Sequence, residues 1–295
     1  MMKPKDLASY VFLAFAWGLS FLVLLRVLNT FGLAGTISYR SLIAALTLLL
    51  LAAVTRRRLR FGGRWLPFVV VGATTVAGQL IGLSYATPLI GTAMTAILVA
   101  SIPLLSMVMG RIAGIERISP NGVIGLVLGV TGIVMLVGFP SQPVDASFLT
   151  GCVAAMFGCV CAAGGSLYAS RHLKGVGSWE STIGAFLSGG LMTLPLGLVS
   201  PLPEVITAPD IAYLLVLGCV MSATTYVLYF RLVSTIGPTR AISVEFAVTV
   251  VAVLVGALYL DETLSWVQVA GAAVIVSGCA LVLGLVRIPS RLLRW

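Results

Sequence analysis

Residues 121–138 read NGVIGLVLGVTGIVMLVG, and residues 267–284 read VQVAGAAVIVSGCALVLG. The two stretches lie 146 residues apart, and three glycines of the first align with three glycines of the second. The same shift lays the rest of the chain on itself without a gap, and seven of the sixteen glycines in the first half then align with glycines. The chain is therefore predicted to be a duplication, with one unit at residues 1–140 and a second at residues 141–295.

Matching loops of the two copies carry opposite charges. Arg58 and Arg64 of the first copy align with Glu204 and Asp210 of the second. Arginine and lysine are retained on the cytoplasmic side of a membrane. A duplicated membrane unit whose second copy is inserted upside down produces this pattern, and such inverted repeats are mainly a feature of transporters.

The composition indicates that the chain is embedded in a lipid bilayer. Hydrophobic residues make up 59% of the chain, charged residues only 9%, and the mean hydropathy is +1.12. A soluble domain has about 25% charged residues. The net charge of +9 would suggest nucleic acid in a soluble protein, but here it indicates basic residues at the membrane edges. We therefore expect a lipid bilayer and a small-molecule substrate as partners, and no nucleic acid.

Ten apolar runs are each about long enough to cross some 30 Å of hydrocarbon as a helix. They lie near residues 7–25, 36–54, 67–86, 91–110, 121–138, 149–170, 181–199, 211–231, 239–259 and 266–285. The predicted fold is an all-α integral membrane protein with ten transmembrane helices in two inverted five-helix repeats. Both termini are predicted to be cytoplasmic, because all basic residues except Arg26 and Arg40 then lie on or near that side. The first apolar run belongs to the repeat, so we interpret it as an uncleaved helix and not as a signal peptide.

Several motifs give the chain a resemblance to the drug/metabolite transporter superfamily, and specifically to its EamA-type members. The motifs are Trp17-Gly18-x-Ser20-Phe21, Tyr39-Arg40, the stretch from Pro103 to Gly132 with Glu116 and Gly125, and Asp261-Glu262-Thr263-Leu264-Ser265 followed by Gln268, Gly271 and Gly278. Two positions depart from the family pattern: Gly110-Arg111 stands where the first repeat often has Gly-Glu, and Thr249 replaces the proline matched by Pro103.

The resemblance implies a cavity between the two repeats. Spans 1, 3 and 4 would face spans 6, 8 and 9, while spans 5 and 10 would pack together at the side. In size and in its aromatic-bearing apolar spans, the chain is similar to the YddG-type exporters of aromatic and other neutral amino acids. The glycines of spans 5 and 10 favour close helix packing in lipid.

Polar groups in the middle of a span are the first candidates for substrate contact, because a polar side chain that faces lipid is unfavourable. Gln79 lies near the middle of span 3, and its alternative role is a hydrogen bond between helices. Glu245 lies about six residues into span 9. It could bind a substrate amine or carry a proton, or it could form a salt bridge with Arg240 or Arg231. Arg40 is interpreted as an interface anchor or ion pair, with carboxylate binding as the alternative.

Aromatic side chains form the second group of candidates. Trp17 lies in the middle of span 1, where with Phe21 it could form a stacking wall for an apolar side chain, or simply pack against a neighbour. An inner gate is one hypothesis for Tyr168, Tyr226 and Tyr229, and an outer gate for Tyr85; interface anchoring explains each equally well.

Ser101 precedes Pro103, which could free a backbone carbonyl for a ligand; the alternative is a hydrogen bond of the serine within its own helix. His172 lies at a basic helix end and is not expected to relay protons.

The sequence thus predicts an inner-membrane secondary transporter that exports small organic solutes, aromatic or neutral amino acids in particular, by alternating access and as a monomer. The alternatives are efflux of cationic or aromatic drug-like compounds, and a passive channel. No phosphate-binding loop for ATP is present in the sequence, and one histidine with scattered cysteines suggests neither a metal site nor a cofactor. An intramembrane enzyme is not expected either, since no nucleophile and base or paired acids can be recognised.

Overall fold

A computed structural model describes residues 3–63, 65–99, 101–115, 119–137, 145–199, 206–259 and 265–286. These residues are helical and contain no β-strand. The first repeat contains α1 (Pro4–Val54), α2 (Leu66–Val71), the π-helix π1 (Gly72–Gly78), α3 (Gln79–Val99), α4 (Ile102–Ile112) and α5 (Pro120–Val137). The second contains α6 (Ala146–His172), α7 (Ser178–Val199), α8 (Ala208–Leu215), π2 (Val216–Thr224), α9 (Thr225–Ile236), α10 (Pro238–Ile242), α11 (Val244–Tyr259) and α12 (Trp266–Leu283).

Five stretches of helix are long and apolar enough to cross a membrane. They are Arg26–Val54, Leu66–Ile90, Ala146–His172, Ser178–Val199 and Ala208–Ile236, and shorter apolar helices accompany them at Ile102–Ile112, Pro120–Met135 and Val269–Leu283. The predicted all-helical membrane architecture is thus confirmed. The number of ten spans and the position of the termini stay predictions.

Two predicted helix boundaries are wrong. Spans 1 and 2 were expected to be separated by residues 26–35, but α1 is interrupted only at Gly32, with φ 65° and ψ 179°. That conformation is nearly exclusive to glycine, so one residue redirects the chain where a polar loop was expected. Spans 3 and 4 were expected to separate near Pro88, but α3 continues through this proline to Val99. The helical break falls instead just before Ile102, where Pro103 occupies the first turn of α4 and needs no hydrogen-bonded N–H.

The shift of 146 residues also relates secondary structure elements. Applied to α5, it reproduces the bounds of α12 at both ends, and applied to π1 it gives residues 218–224, which lie inside π2. A π-helical turn is rare, so its occurrence at matching positions shows that the two copies share local backbone geometry as well as sequence.

The helices α5 and α12 pack against each other through glycines. A Cβ atom added at Gly125 would lie 2.6 Å from the carbonyl oxygen of Gly278, and one added at Gly132 would lie 2.8 Å from that of Gly271. As the residue number rises along α5 it falls along α12, so the two helices are antiparallel. The repeat aligns Gly125 with Gly271 and Gly132 with Gly278. When each glycine is replaced by its counterpart in the other copy, the contact between Gly125 and Gly278 becomes the contact between Gly271 and Gly132. A two-fold axis between the two helices requires this relation.

The close approach of these two backbones makes Gly125 sensitive to a single methyl group. We expect Gly125→Ala to lower the thermal unfolding temperature of the purified protein in detergent. The added Cβ would overlap a backbone oxygen, and relieving such overpacking costs about 1–3 kcal/mol. Circular dichroism during heating measures the effect.

Gly164→Ala is the matched control, because the nearest neighbour of its added Cβ is the flexible end of Met109 at 3.4 Å. Both substitutions gain the same helix propensity, about 0.8–1.0 kcal/mol, so their difference isolates the packing contact. Equal unfolding temperatures for the two variants would contradict the proposed contact between α5 and α12.

Candidate functional site

Five aromatic rings meet near the middle of the helical assembly, and we call them the aromatic cluster: Trp17, Phe186, Tyr226, Tyr229 and Phe230. The Trp17 ring lies 5.4 Å from the Tyr226 ring and 5.6 Å from the Tyr229 ring, measured between centroids. Phe186 contacts Tyr226 edge-on at 4.7 Å. These separations and tilted orientations are those that aromatic pairs prefer. The cluster joins the first repeat to the second.

The backbone brings these rings together for simple reasons. Trp17 lies about halfway along the part of α1 that precedes Gly32. Tyr226 and Tyr229 are three residues apart on α9, so they project from the same helix face, and Phe186 extends from α7. The prediction that Tyr226 and Tyr229 anchor a membrane interface is wrong, because their side chains are only 5% and 2% exposed.

Hydroxyl groups surround the cluster and tie further helices to it. The hydroxyls of Ser166 on α6 and Tyr229 are hydrogen-bonded to each other. The Ser166 hydroxyl also lies 2.9 Å from the carbonyl oxygen of Ala162. On the other side, the Tyr10 hydroxyl lies 3.1 Å from the hydroxyl of Ser243, which precedes α11. Span 6 and span 9 therefore contribute polar groups near the rings of spans 1 and 8, as the family resemblance implies.

Glu245 lies in the first turn of α11, and its side chain is half-buried. The next turn of α11 packs beside Trp17, because a Cβ atom added at the neighbouring Gly18 would lie 3.3 Å from the carbonyl oxygen of Val248. The first turn of α11 therefore lies near the aromatic cluster. Among the residues that the structure describes, the Glu245 side chain has no hydrogen bond or ion pair. The alternative of a salt bridge to Arg231 is wrong, because Arg231 pairs with Asp6 at 3.4 Å.

Arg240, the other proposed partner of Glu245, lines a cavity of about 460 Å³ that also contacts Lys3 and Asp6. It forms no ion pair with Glu245 in the described part of the chain. An ionised, half-buried carboxylate without a cationic partner is energetically costly in an apolar environment, so a ligand, water or a bound proton is needed to offset its charge.

Arg40 is buried, with 7% of its surface exposed, and lies eight residues beyond Gly32. Its Nε and one Nη atom donate hydrogen bonds of 3.1 and 2.9 Å to the hydroxyl oxygen of Ser222 on π2. The expectation that Arg40 is an interface anchor is therefore wrong. Arg26 behaves as expected of a helix-end residue, because its exposed side chain pairs with Asp210 at 3.3 Å.

The remaining candidates lie apart from the aromatic cluster. Gln79 begins α3 directly after π1 and is buried, and its amide makes no side-chain hydrogen bond to any residue in the described ranges, so the predicted bond between helices is not observed. Ser101 lies before α4 with its hydroxyl buried beside Cys159. Tyr85 is 48% exposed on α3.

The Tyr168 ring stacks on the His172 ring at 3.9 Å, one helical turn further along α6, and the described ring contacts do not join it to Tyr226 or Tyr229. An inner gate that includes Tyr168 stays a prediction. The side chains of Phe21 and Gln268, and residues 116 and 261–264 of the family motifs, lie outside the described residues.

A cavity of about 350 Å³ leads toward the aromatic cluster. Phe230, whose ring contacts those of Tyr226 and Tyr229, is one of its lining residues, together with Lys174 and Pro238. None of the seven substrate-contact candidates whose side chains the structure describes lines this cavity or the cavity beside Arg240. At the centre, the aromatic rings contact each other. The cavity between the repeats that the family resemblance implies is therefore neither the cavity next to Phe230 nor the cavity beside Arg240.

Phe186, Phe230, Ser166 and Ser222 were missed by the sequence analysis. A single phenylalanine or serine in an apolar span carries no local signal. Only the repeat distinguishes Phe186, because it aligns with Arg40 of the first copy.

The architecture agrees with known proteins. The model of the EamA-like transporter family matches the chain twice, at residues 7–138 and 149–284. The chain belongs to the EamA-like transporter family. The resemblance noted from the motifs is thereby confirmed, and the function of the family is membrane transport.

Individual EamA-like relatives are distant. Protein PecM of Dickeya dadantii (strain 3937) is 25% identical over 284 residues, which cover 95% of this chain and 92% of PecM. The "Uncharacterized inner membrane transporter YedA" of Escherichia coli (strain K12) is 28% identical over 194 residues, which are 64% of this chain and 61% of YedA. A crystal structure that is 18% identical superimposes over 100% of both chains with a TM-score of 0.81, which shows the shared fold. These findings support a multi-pass protein of the inner membrane.

Proposed function

We propose that this EamA-like protein is a secondary transporter that exports neutral or aromatic amino acids across the inner membrane by alternating access. The observation that carries the proposal is the aromatic cluster beside the unpaired carboxylate of Glu245. Aromatic faces bind an apolar or aromatic side chain, and a carboxylate binds an ammonium group. A small organic solute with both features fits this chemistry.

Alternating access requires two halves that rock about a central site. The aromatic cluster lies where the repeats meet, with Trp17 from the first repeat and Tyr226 and Tyr229 from the second. The cavity next to Phe230 supports a path to one side of this site. Closed ring contacts at the centre separate that path from the opposite side. Movement of α1 against α9 would open the contact.

The substrate proposal is tested by competition for uptake into liposomes that contain the purified protein. We expect unlabelled phenylalanine and leucine to inhibit uptake of labelled phenylalanine, and sugar phosphates to have no effect. Trp17→Ala should weaken the apparent affinity for phenylalanine about tenfold, because it removes the stacking surface. Trp266→Ala is the control, since that tryptophan is 87% exposed at the start of α12.

The outcomes separate the candidate substrates. Inhibition by quaternary ammonium compounds alone would replace amino acids with drug-like cations, for which Glu245 is the counter-charge and Trp17 the stacking face. Saturable counterflow of labelled substrate supports a transporter, because a continuous channel has no turnover step.

Glu245 is proposed to act as the proton site or the ammonium site of this cycle. Glu245→Gln should abolish the dependence of transport on pH, because glutamine cannot ionise, whereas Glu245→Asp should retain it. Initial uptake rates across a range of internal pH measure both variants. An unchanged pH profile for Glu245→Gln would remove Glu245 from the coupling mechanism.

The orientation is proposed from charge, with the second repeat inverted and both termini cytoplasmic. The antiparallel pairing of α5 and α12 supports inversion: if both helices cross the membrane, a two-fold axis that relates them lies in the membrane plane. A C-terminal reporter that is active only in the cytoplasm should be active, while one that requires the periplasm should be silent. The reverse result would refute this orientation.

A further inference from the structure

Arg40 is a charged residue well inside an apolar helix, where a buried charge is energetically unfavourable. From Gly32 to the end of α1 the chain forms 22 helical residues, about 33 Å at 1.5 Å per residue, and Arg40 lies about 12 Å from the Gly32 end. Its side chain is more than nine-tenths buried. Arginine in such a position normally pairs with a carboxylate or marks a substrate pathway.

The contacts of Arg40 leave its charge uncompensated. Two nitrogens of the guanidinium converge on one neutral oxygen, that of Ser222. The Ser222 hydroxyl in turn donates a 2.8 Å hydrogen bond to the carbonyl oxygen of Leu217. Its oxygen therefore accepts the hydrogen bonds from Arg40 through its lone pairs. In the described part of the chain, Arg40 forms no ion pair.

The described carboxylates are occupied elsewhere, with one exception. Asp6 pairs with Arg231, Asp210 pairs with Arg26, Asp145 caps α6, and Glu180 accepts a hydrogen bond from the backbone of Arg60. Glu245 alone among these described acids has no partner for its side chain. Within the described ranges, Arg40 is thus a buried cation without an ion pair, and Glu245 is a half-buried acid without one.

Packing does not explain why an arginine occupies this position. The repeat aligns Arg40 with Phe186 and Ser222 with Val76. Both counterparts are apolar and both are fully buried. The positions related by the repeat thus hold two buried apolar side chains, Phe186 of the second copy and Val76 of the first, so close packing here does not require Arg40 and Ser222 to be polar.

Tyr226 lies one helical turn beyond Ser222, the hydrogen-bond partner of Arg40, and its ring lies 5.4 Å from the ring of Trp17. Arg40 therefore lies close to the aromatic cluster. We propose that Arg40 binds the carboxylate of a zwitterionic amino acid whose side chain lies against Trp17 and Tyr226. This inference rests on the proposed transport of amino acids and assigns its carboxylate specificity to one residue.

The test uses phenylalanine and phenylalaninamide, which share the ring and the ammonium group and differ at the carboxylate. Competition against labelled phenylalanine in liposomes gives an apparent affinity for each compound. A charge-assisted hydrogen bond of a buried arginine is worth about 10- to 100-fold in affinity. We therefore expect wild-type protein to prefer phenylalanine over its amide by this factor.

Arg40→Gln should remove this preference by weakening phenylalanine binding and leaving the amide unchanged. Arg40→Lys should retain part of it, because the charge remains while the fork of donors is lost. Arg26→Gln is the matched control: it also removes an arginine from α1, but its side chain is 58% exposed and paired with Asp210, so the preference should persist.

Each outcome decides a separate question. Equal loss of phenylalanine and amide binding in Arg40→Gln, with amino acids still transported by the wild type, overturns the role of Arg40 and leaves the proposed function intact. Absence of amino acid transport in the wild type overturns the proposed function itself and this inference with it. If Arg40→Gln does not fold, thermal stabilisation of the wild type by phenylalanine but not by the amide supports the site, and equal stabilisation overturns it.

Discussion

The contact between the backbones of α5 and α12 fixes how the two copies of the chain are arranged. Lipid provides no hydrophobic force to hold two apolar helices together, so association depends on close van der Waals packing. Gly125 and Gly278 allow the helix backbones to approach within contact distance, and Gly132 and Gly271 repeat this one to two turns away. The repeat converts each of these contacts into the other. The same four glycines therefore account for both the antiparallel packing of the two helices and the symmetry between the copies.

A symmetric scaffold would place identical groups opposite each other at its centre, yet the site is asymmetric. The repeat aligns Trp17 with Ala163, Tyr226 with Leu80, and Glu245 with Val99. Small or aliphatic residues in one copy therefore stand where the other copy carries an aromatic or charged group. This asymmetry gives the site a carboxylate from one copy only, whereas strict symmetry would place the same charge in both copies.

The sequence predicted the features that depend on long apolar runs and on the repeat. The helical membrane fold follows from hydropathy, the family from the resemblance of the motifs, and the close helix packing expected of spans 5 and 10 from their glycines. Boundaries were predicted less well, because Gly32 redirects α1 without any polar loop and Pro88 does not end α3. Trp17 and Tyr226 were recognised as candidates, but the contacts of Tyr226 with Trp17 and with Phe186 depend on the relative rotation of three helices, which periodicity alone does not give.

Arg40 illustrates why a charge in an apolar span is difficult to interpret from sequence. Distance from the predicted helix end suggested an interface, because the end itself was placed several residues too late. With the boundary at Gly32, the same residue lies deep in α1 and its only hydrogen-bond partner among the described residues is Ser222. The free energy of a buried charge depends on its partners and not on its depth alone. A transporter that leaves such a charge incompletely paired between transport events retains binding free energy for a carboxylate that arrives with the substrate.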